Sequence, residues 1–489
     1  MKSERKRMIQ ELKSRRFNKF THRWSLLYLL ITVVFCGLLF TSGLLAVKIM
    51  IGAGAIIGFI TLLLFPALFS WRFKKGRKVL CFVLSLVMTF VYGTGIAYLA
   101  GTLDFFSKIT SIASAVEEYY VVVRDDGEFE KIGDIEGQDV FAFKSGEGYS
   151  KAVKKLEKKV DVNVVEADDL DTTADDLLTG ECDAIFLNSA NYVTVTDHYD
   201  GFDDYTKILY KIRIITKPED IAKRVNVTKK PFNVYITGLD TDGDISTQSR
   251  SDVNMIATVN PRTKTVLLTS IPRDYYVEVD GTDGEFDKLT HTGLYGANKT
   301  VNTVSNMLGI DMNYYVKVNY ATVEALVDAM GGITVHSDFE FTTHGQGVYY
   351  DYYVGDNELD GAQALAFARE RYSFADGDLQ RNRNQQAVMK AILKKATGST
   401  TILTKYTSIL NAIEDYVETN FTSREIKSLV KMQMNDMTGW KIRTQSITGD
   451  VSPDFMPCYA LGGNYASVVM QDQDSMDAAV TKIKEVMEE

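Results

Sequence analysis

The sequence predicts an α/β protein carried behind three membrane-spanning helices, with a small α/β unit first and a larger α/β domain after it. Residues 25–100 contain no Asp or Glu. Beyond them, short apolar strand-like runs alternate with helix-period patterns, the signature of sheets covered by helices. Lys217, Pro218, Lys229, Lys230 and Pro231 mark a break between the two α/β parts. At 489 residues the chain is too long for one ordinary core. The division read from these features is a basic tail at 1–24, three spans within 25–101, an accessory α/β domain at 104–218, a linker at 219–231 and a second domain at 232–489.

The apolar runs cover 25–47, 49–71 and 79–100, and each is long enough to cross a hydrocarbon core of about 30 Å as a helix. A cleaved signal peptide is a poor fit, because two further apolar runs follow the first. Basic residues set the orientation. Lys2, Arg5, Lys6, Arg7, Lys13, Arg15, Arg16, Lys19 and Arg23 precede the first run, and Arg72, Lys74, Lys75, Arg77 and Lys78 fill the second connection, whereas the first connection has only Lys48. The amino terminus is therefore expected on the cytoplasmic side and everything after about residue 101 outside the cell.

Charge follows the same partition. The first 100 residues carry net +13 and the remaining 389 carry 39 basic against 62 acidic residues, net −23. An acidic outer part excludes general nucleic-acid binding, which needs surplus Lys and Arg. Of four cysteines, Cys36 and Cys81 lie in the spans. Cys182 and Cys458 are too few for a disulfide framework, and no Cys/His spacing suggests zinc.

In the accessory part, 120–123, 140–143, 162–165 and 183–187 read as strands and 150–158 as a helix. The outline resembles half of an extracytoplasmic solute-binding protein. The loop Ser145-Gly146-Glu147-Gly148 before the helix could offer amides to an anion or be an ordinary turn. In the second domain, 232–239, 254–259 and 265–271 read as strands, the last two joined by the turn Asn260-Pro261-Arg262-Thr263-Lys264. Val323, Leu326, Val327 and Met330 share a helix face closed by Gly331-Gly332. Val301, Val304 and Leu308 repeat that signal one element earlier. Helices are also predicted over 381–395, 401–417 and 423–435, with a strand at 441–447.

Walker loops, GxSxG and HExxH are absent, and five scattered histidines form no motif. Asp240-Thr241-Asp242-Gly243-Asp244 imitates an EF-hand start but places its glycine early and Ser251 at the twelfth position. What remains is arginine and aspartate at element ends: Asp240, then Arg250-Ser251-Asp252, Arg273-Asp274, Arg369-Glu370-Arg371, and 377–386 with Asp378, Arg381 and Gln385. Arg250 and Asp252 share a strand face, and Arg381 and Gln385 stand one helical turn apart. Converging guanidinium forks suit a pyrophosphate, at about 1.5–3 kcal/mol per charged hydrogen bond. Two nearby aspartates suit Mg²⁺ shared with phosphate oxygens. Taken singly, each could equally be a surface ion pair or, for Asp378, a helix cap.

These motifs, together with Ser270-Ile271-Pro272 and the stretch Lys288-Leu289-Thr290-His291-Thr292-Gly293, resemble the LytR-CpsA-Psr (LCP) family of cell-wall glycopolymer ligases over about 232–397. Three spans followed by an accessory domain look like its capsule-associated CpsA branch. The resemblance implies an α-β-α sandwich with a mixed central sheet enclosing a polyprenyl pocket, for which Val301, Val304, Tyr315, Val316, Leu326 and Val327 are candidates. It implies a Mg²⁺-dependent phosphotransferase that moves a capsular or teichoic-acid-like glycan from polyprenyl pyrophosphate onto peptidoglycan, with capsule-synthesis proteins as candidate partners. Carried over by position, Asp240 and Asp252 would ligate Mg²⁺. Arg250, Arg273, Arg369, Arg371, Arg381 and Gln385 would hold the pyrophosphate, and Asp378 would orient an arginine or act as base, so that Asp240, Asp252, Arg273 and Asp378 form the catalytic set. The family shows arginine directly before the paired glutamines where this chain has Asn384, which leaves Arg383 without a role. Alternatives are a polyprenyl-pyrophosphate pyrophosphatase and a non-catalytic regulator of capsule synthesis that binds lipid-linked glycan; a cytoplasmic part this short cannot hold a helix-turn-helix.

Overall fold

Three helices long and apolar enough to cross a membrane open the chain, Lys2–Ser42, Val47–Phe69 and Lys75–Thr110. The computed structural model describes every residue except Met1, 44–46, 111–114, 147, 168, 200, 217–218, 240–244, 345–347, 399–400 and 437. The basic tail is not a separate coil. It continues the first helix because residues 1–36 contain no Gly or Pro and are rich in good helix formers. Polar side chains join the helices: Trp24 Nε1 donates to Ser85 Oγ at 2.8 Å, and Lys78 Nζ to Asn18 Oδ1 at 2.8 Å. Residues 1–107 and 423–437 form one compact unit, and 108–422 with 438–489 form a second.

The second unit is built on two large sheets. In the first, β1 (Ala115–Arg124), β2 (Asp139–Phe143), β3 (Asn163–Ala167), β4 (Ala184–Asn188) and β5 (Thr206–Thr216) stand in the order β3-β2-β4-β1-β5. β2 runs parallel to β3 and β4, and β1 antiparallel to β4 and β5. Sequence reading missed β5, whose burial alternates weakly. The candidate anion loop is a structural turn. Glu117 Oε2 already accepts the Gly148 N–H at 2.8 Å and the Tyr119 hydroxyl at 2.8 Å, so a carboxylate of the chain itself occupies that place.

The second sheet is built from β6 (Phe232–Leu239), β7 (Ser251–Asn260), β8 (Thr265–Ser270), β9 (Tyr314–Val318), β10 (Val417–Thr419) and β11 (Lys441–Ser446) in the order β10-β9-β6-β7-β8-β11. It is mixed: β9 is parallel to β6 and β11 to β8, and the other pairs are antiparallel. One face carries the helices Ala297–Leu308 and Gln473–Glu488 over a core of Tyr235, Ile256, Leu267, Val304 and Ile483. Tyr320–Met330, Gly361–Arg369 and Gly377–Gly398 share a second core around Val327, Ile333, Phe367 and Val388, and Gln386 Nε2 ties the last of these helices to Ser270 Oγ at 2.6 Å. The result is an α-β-α sandwich. The predicted helix over 401–417 stops at Ile413, and β10 begins at Val417, where Glu418 and Thr419 bury their polar groups against β9.

The linker after 218 is pinned by Lys223 and Val225, which bond to Asn313 and to the Tyr314 hydroxyl. A small apolar cluster of Ala190, Leu294 and Ala460 joins the two sheet layers. Cys182 and Cys458 are free and buried. Burial, with the Asp176 carboxylate adding to it, pushes the Cys182 thiol up to about 12. Since the thiolate is the reactive form, peptide mass spectrometry after iodoacetamide treatment of native protein at pH 8 should find Cys182 unmodified; alkylation at the rate of a free thiol would contradict this environment.

Candidate active site

The polar cluster forms where β6 and β8 end and β7 begins. β6 and β7 pair Gly238 with Val253, and the register slips between Gly238 and Leu239. A Cβ on Gly238 would come within 2.7 Å of the Val253 side chain, so only glycine permits this approach. Asp252, at the start of β7, is 6% exposed. Its Oδ2 accepts from Arg273 Nη1 at 2.7 Å and its Oδ1 from Thr290 Oγ1 at 3.1 Å. Arg273 follows β8 through Ile271-Pro272, and the backbone N–H of Thr290 donates to its carbonyl at 2.8 Å. Arg273 Nε also faces Asp274 at 3.5 Å and Asp378 at 3.7 Å, while Lys288 Nζ lies 3.4 Å from Asp274.

The helix Gly377–Gly398 delivers the opposite wall. Arg381 is 6% exposed and donates from Nη2 to Asp378 Oδ2 at 2.9 Å. Gln385, half-buried, is one turn along the same face. Glu370 clamps the preceding loop by accepting the N–H groups of His344 and Ser373 at 2.8 and 2.9 Å. On either side of this clamp the two flanking arginines separate. Arg371 Nη1 stands 4.0 Å from Asp378 Oδ1 and Nη2 donates to the Tyr372 hydroxyl at 2.7 Å. Arg369 instead lies over the Tyr320 ring, 3.9 Å from its centroid.

The electrostatics favour an anion. Arg250, Arg273, Lys288, Arg371 and Arg381 share the site with Asp252, Asp274 and Asp378, so among the described residues two positive charges are in surplus. Burial, helped by Arg273, lowers the Arg381 pKa despite Asp378. Burial lowers Arg250 as well, with Asp252 opposing and Arg273 reinforcing. Arg273 ends above its ordinary value because Asp252, Asp274 and Asp378 outweigh its burial. The Nε groups of Arg273 and Arg381 are buried and donate no hydrogen bond. Buried cationic donors without a hydrogen bond retain capacity for an anion that comes within reach.

With this arrangement in view, the LytR_cpsA_psr family profile matches residues 199–485, more than half of the chain. The chain belongs to the LytR_cpsA_psr family. It is 39% identical over 204 residues to the "Polyisoprenyl-teichoic acid--peptidoglycan teichoic acid transferase TagU" of Enterococcus faecalis, covering 41% of this chain and 65% of that protein. With the protein of the same name from Bacillus subtilis it shares 38% over 211 residues, 42% of this chain and 66% of that one. The chain thus spans just under two thirds of the length of these two relatives. Among solved structures, B. subtilis TagV is similar at 29% identity with a TM-score of 0.44, covering 53% of this chain and 98% of that one.

Within the LytR_cpsA_psr domain the sequence candidates distribute unequally. Asp252, Arg250, Arg273, Arg371, Asp378 and Arg381 come together. Arg369 is engaged elsewhere, and Asp240 lies outside the described residues. For Mg²⁺, the described half of the proposed pair, Asp252, keeps acceptor capacity at Oδ1, where a single neutral hydroxyl donates. Asn384 does not replace the missing arginine: it donates to the Phe367 carbonyl at 3.1 Å and accepts from Gln380 at 3.0 Å inside the core. Arg383 turns outward to Asp376 at 2.7 Å.

The six lipid-pocket candidates do not line one cavity. Val301, Val304 and Tyr315 fill one core, Val327 and Leu326 belong to the other, and Val316 occupies the opposite pleat of β9 from Tyr315. Helical and strand periodicity identified them as apolar, but which side of the sheet each helix covers is a tertiary property. A small cleft does open between the end of β6 and the helix Ala297–Leu308, bounded by Thr237, Leu239, Gln248, Gly296, Thr300 and Lys317.

Sequence reading gave Asp274, Lys288, Thr290 and Glu370 no role, although each sits inside a motif it quoted. Gly293 is a further hidden contributor. A Cβ there would meet Ser249 O and Ser251 N at 2.7 Å. Gly293→Ala should therefore displace the Arg250–Asp252 segment, costing about 1–3 kcal/mol of stability by overpacking and lowering activity in the same variant. Unchanged melting and unchanged turnover would show that the segment yields freely.

Proposed function

We propose that the outer domain transfers a glycan phosphate from polyprenyl pyrophosphate onto a peptidoglycan hydroxyl. The surplus of positive charge converging between β7, β8 and the helix Gly377–Gly398 carries this reading, and the names of the relatives support it. In the reaction an acceptor hydroxyl oxygen bonds to the glycan-side phosphorus, the bond from that phosphorus to the bridging oxygen breaks, and polyprenyl phosphate departs with the electron pair and takes up the hydroxyl proton through solvent. Arg273, Arg381 and Arg250 bind the diphosphate and meet the charge that grows on the bridging oxygen. Asp378, ringed by Arg273, Arg371 and Arg381, spaces and aims those forks. Asp252 fixes Arg273 and, with Asp240, would hold Mg²⁺, which supplies charge neutralisation on phosphate oxygens when bound.

The three apolar helices anchor the chain, and the basic residues before the first helix and in the second connection favour a catalytic domain on the outer side, facing the leaflet where a lipid-linked substrate resides. The polymer is of the anionic wall class: the relatives are named for teichoic acid, and the three spans with an accessory domain point to capsule. The test is transfer by the full chain in detergent, given labelled polyprenyl-pyrophosphate glycan, peptidoglycan and Mg²⁺. Labelled peptidoglycan is the expected product, reduced by Asp252→Ala. Release of label to water alone would favour a pyrophosphatase, and binding without product under every metal condition would favour a regulator.

A further inference from the structure

Behind the active-site loop lies a second constellation that this function does not use. Asp287 is the middle residue of the short strand Phe286–Lys288, His291 sits one helical turn later, and Cys458 approaches from a segment far along the chain. All three are buried, Asp287 and Cys458 completely, and their ligand-type atoms lie within 4.8 Å of one another.

A Cys-His-Asp set invites comparison with a nucleophile and its base, and the geometry rejects it. Cys458 has no exposed surface for a substrate to reach. Burial and the neighbouring Asp287 carboxylate push its thiol up to about 12, the reverse of an activated thiolate. His291 spends Nδ1 on Asp287 Oδ1 at 2.6 Å.

We propose that Asp287, His291 and Cys458 form a binding site for a thiophilic divalent cation of the zinc class, which clips the carboxy-terminal segment to the active-site loop. One sulfur, one nitrogen and one oxygen donor is a zinc-type set. The groups are already aimed: Asp287 Oδ1 accepts the Lys288 N–H and Oδ2 the Ala460 N–H, both at 2.7 Å, as backbone groups orient metal ligands. Charge balances as well. The ion displaces the thiol proton and the imidazole proton shared with Asp287 moves to Nε2, so a divalent ion with carboxylate, thiolate and neutral imidazole is neutral, and a water completes the tetrahedron. A tetrahedral ion with bonds near 2.0 Å spreads its N and O ligands to about 3.3 Å, so binding opens the Asp287–His291 hydrogen bond and replaces it.

The clip has a consequence at the active site. Lys288 pairs with Asp274 and Thr290 donates to Asp252 from the same short loop. The segment it fastens, around 448–472, contains only the two-residue strands Met456–Pro457 and Tyr465–Ala466 and a single turn at Tyr459–Leu461, so a cross-link there constrains much otherwise irregular chain.

The test is a Co²⁺ titration of the full chain in detergent. Wild type should develop a thiolate-to-cobalt charge-transfer band saturating at one equivalent, retained in Cys182→Ser and lost in Cys458→Ser and His291→Ala. Zinc should abolish the band by competition and raise the melting temperature of wild type but not of Cys458→Ser. Magnesium, an oxygen-seeking ion, should leave the band untouched, which separates this site from the diphosphate site. A wild-type protein that gives no band, or one equally strong in Cys458→Ser, would overturn the assignment without bearing on glycan transfer.

Discussion

Replacing Arg381 by Met should leave the protein at least as stable as the parent, by about 1 kcal/mol at most in its favour, while lowering transfer by about 10²–10³-fold. The opposite signs are the point. Burial lowers the Arg381 pKa, so the folded state binds that proton less tightly than the unfolded chain does. At neutral pH, where the guanidinium is charged in both states, this works against folding. Its one close partner, Asp378, keeps Arg273 at 3.7 Å and Arg371 at 4.0 Å after the substitution, and is itself about one third exposed. The buried cation is therefore dispensable to the fold and needed by the anion. Thermal melting and initial transfer rates on the same preparation decide it. A variant that loses stability and retains its rate would reverse the assignment.

Arg273→Ala should behave differently, losing about 3 kcal/mol of stability together with at least about 10³-fold in transfer. Among the described residues Arg273 is contacted by three carboxylates, and Asp252 is 6% exposed. Removing the fork leaves that carboxylate with the Thr290 hydroxyl and the more distant charge of Arg250, and it cuts the positive surplus of the site from two charges to one. Adding Asp252→Ala to the first change should recover part of the lost stability and none of the activity, because the uncompensated buried charge goes but the diphosphate contact does not return. Arg273→Lys should fall between, restoring charge without the two-pronged geometry. If the double variant were no more stable than Arg273→Ala, the pair would not be coupled as the distances indicate.

How far the sequence could be read depended on whether a signal was local. Phe232–Leu239 and the helix closed by Gly331 announced themselves by continuous burial and by period with a glycine cap, and both stand where periodicity put them. The helix Gln473–Glu488 carries a similar stripe, Met476, Ala479, Ile483 and Val486, and went unnoticed because it lacks the punctuation of Gly or Pro. At the site, residue type and position at strand ends were enough to group Arg250, Asp252, Arg273 and Arg381. Local signals could not reveal that Glu370 would be buried and splay Arg369 from Arg371, or that Asn384 would serve the core. Nor could they show Val301 and Val327 packing into different cores. The Asp287–His291–Cys458 cluster was invisible for the same reason, since 166 residues separate its second member from its third.

The central claim is that a diphosphate, and not a single phosphate, is what the surplus of cationic forks is built to hold. Its most direct measurement is a binding titration of the full chain in lipid nanodiscs with polyprenyl pyrophosphate and with polyprenyl monophosphate of the same chain length. Wild type should prefer the pyrophosphate, and Arg381→Met and Arg273→Ala should each erase most of that preference while binding the monophosphate nearly as before. Equal affinity of the wild type for both lipids, or a preference that survives both substitutions, would contradict the account.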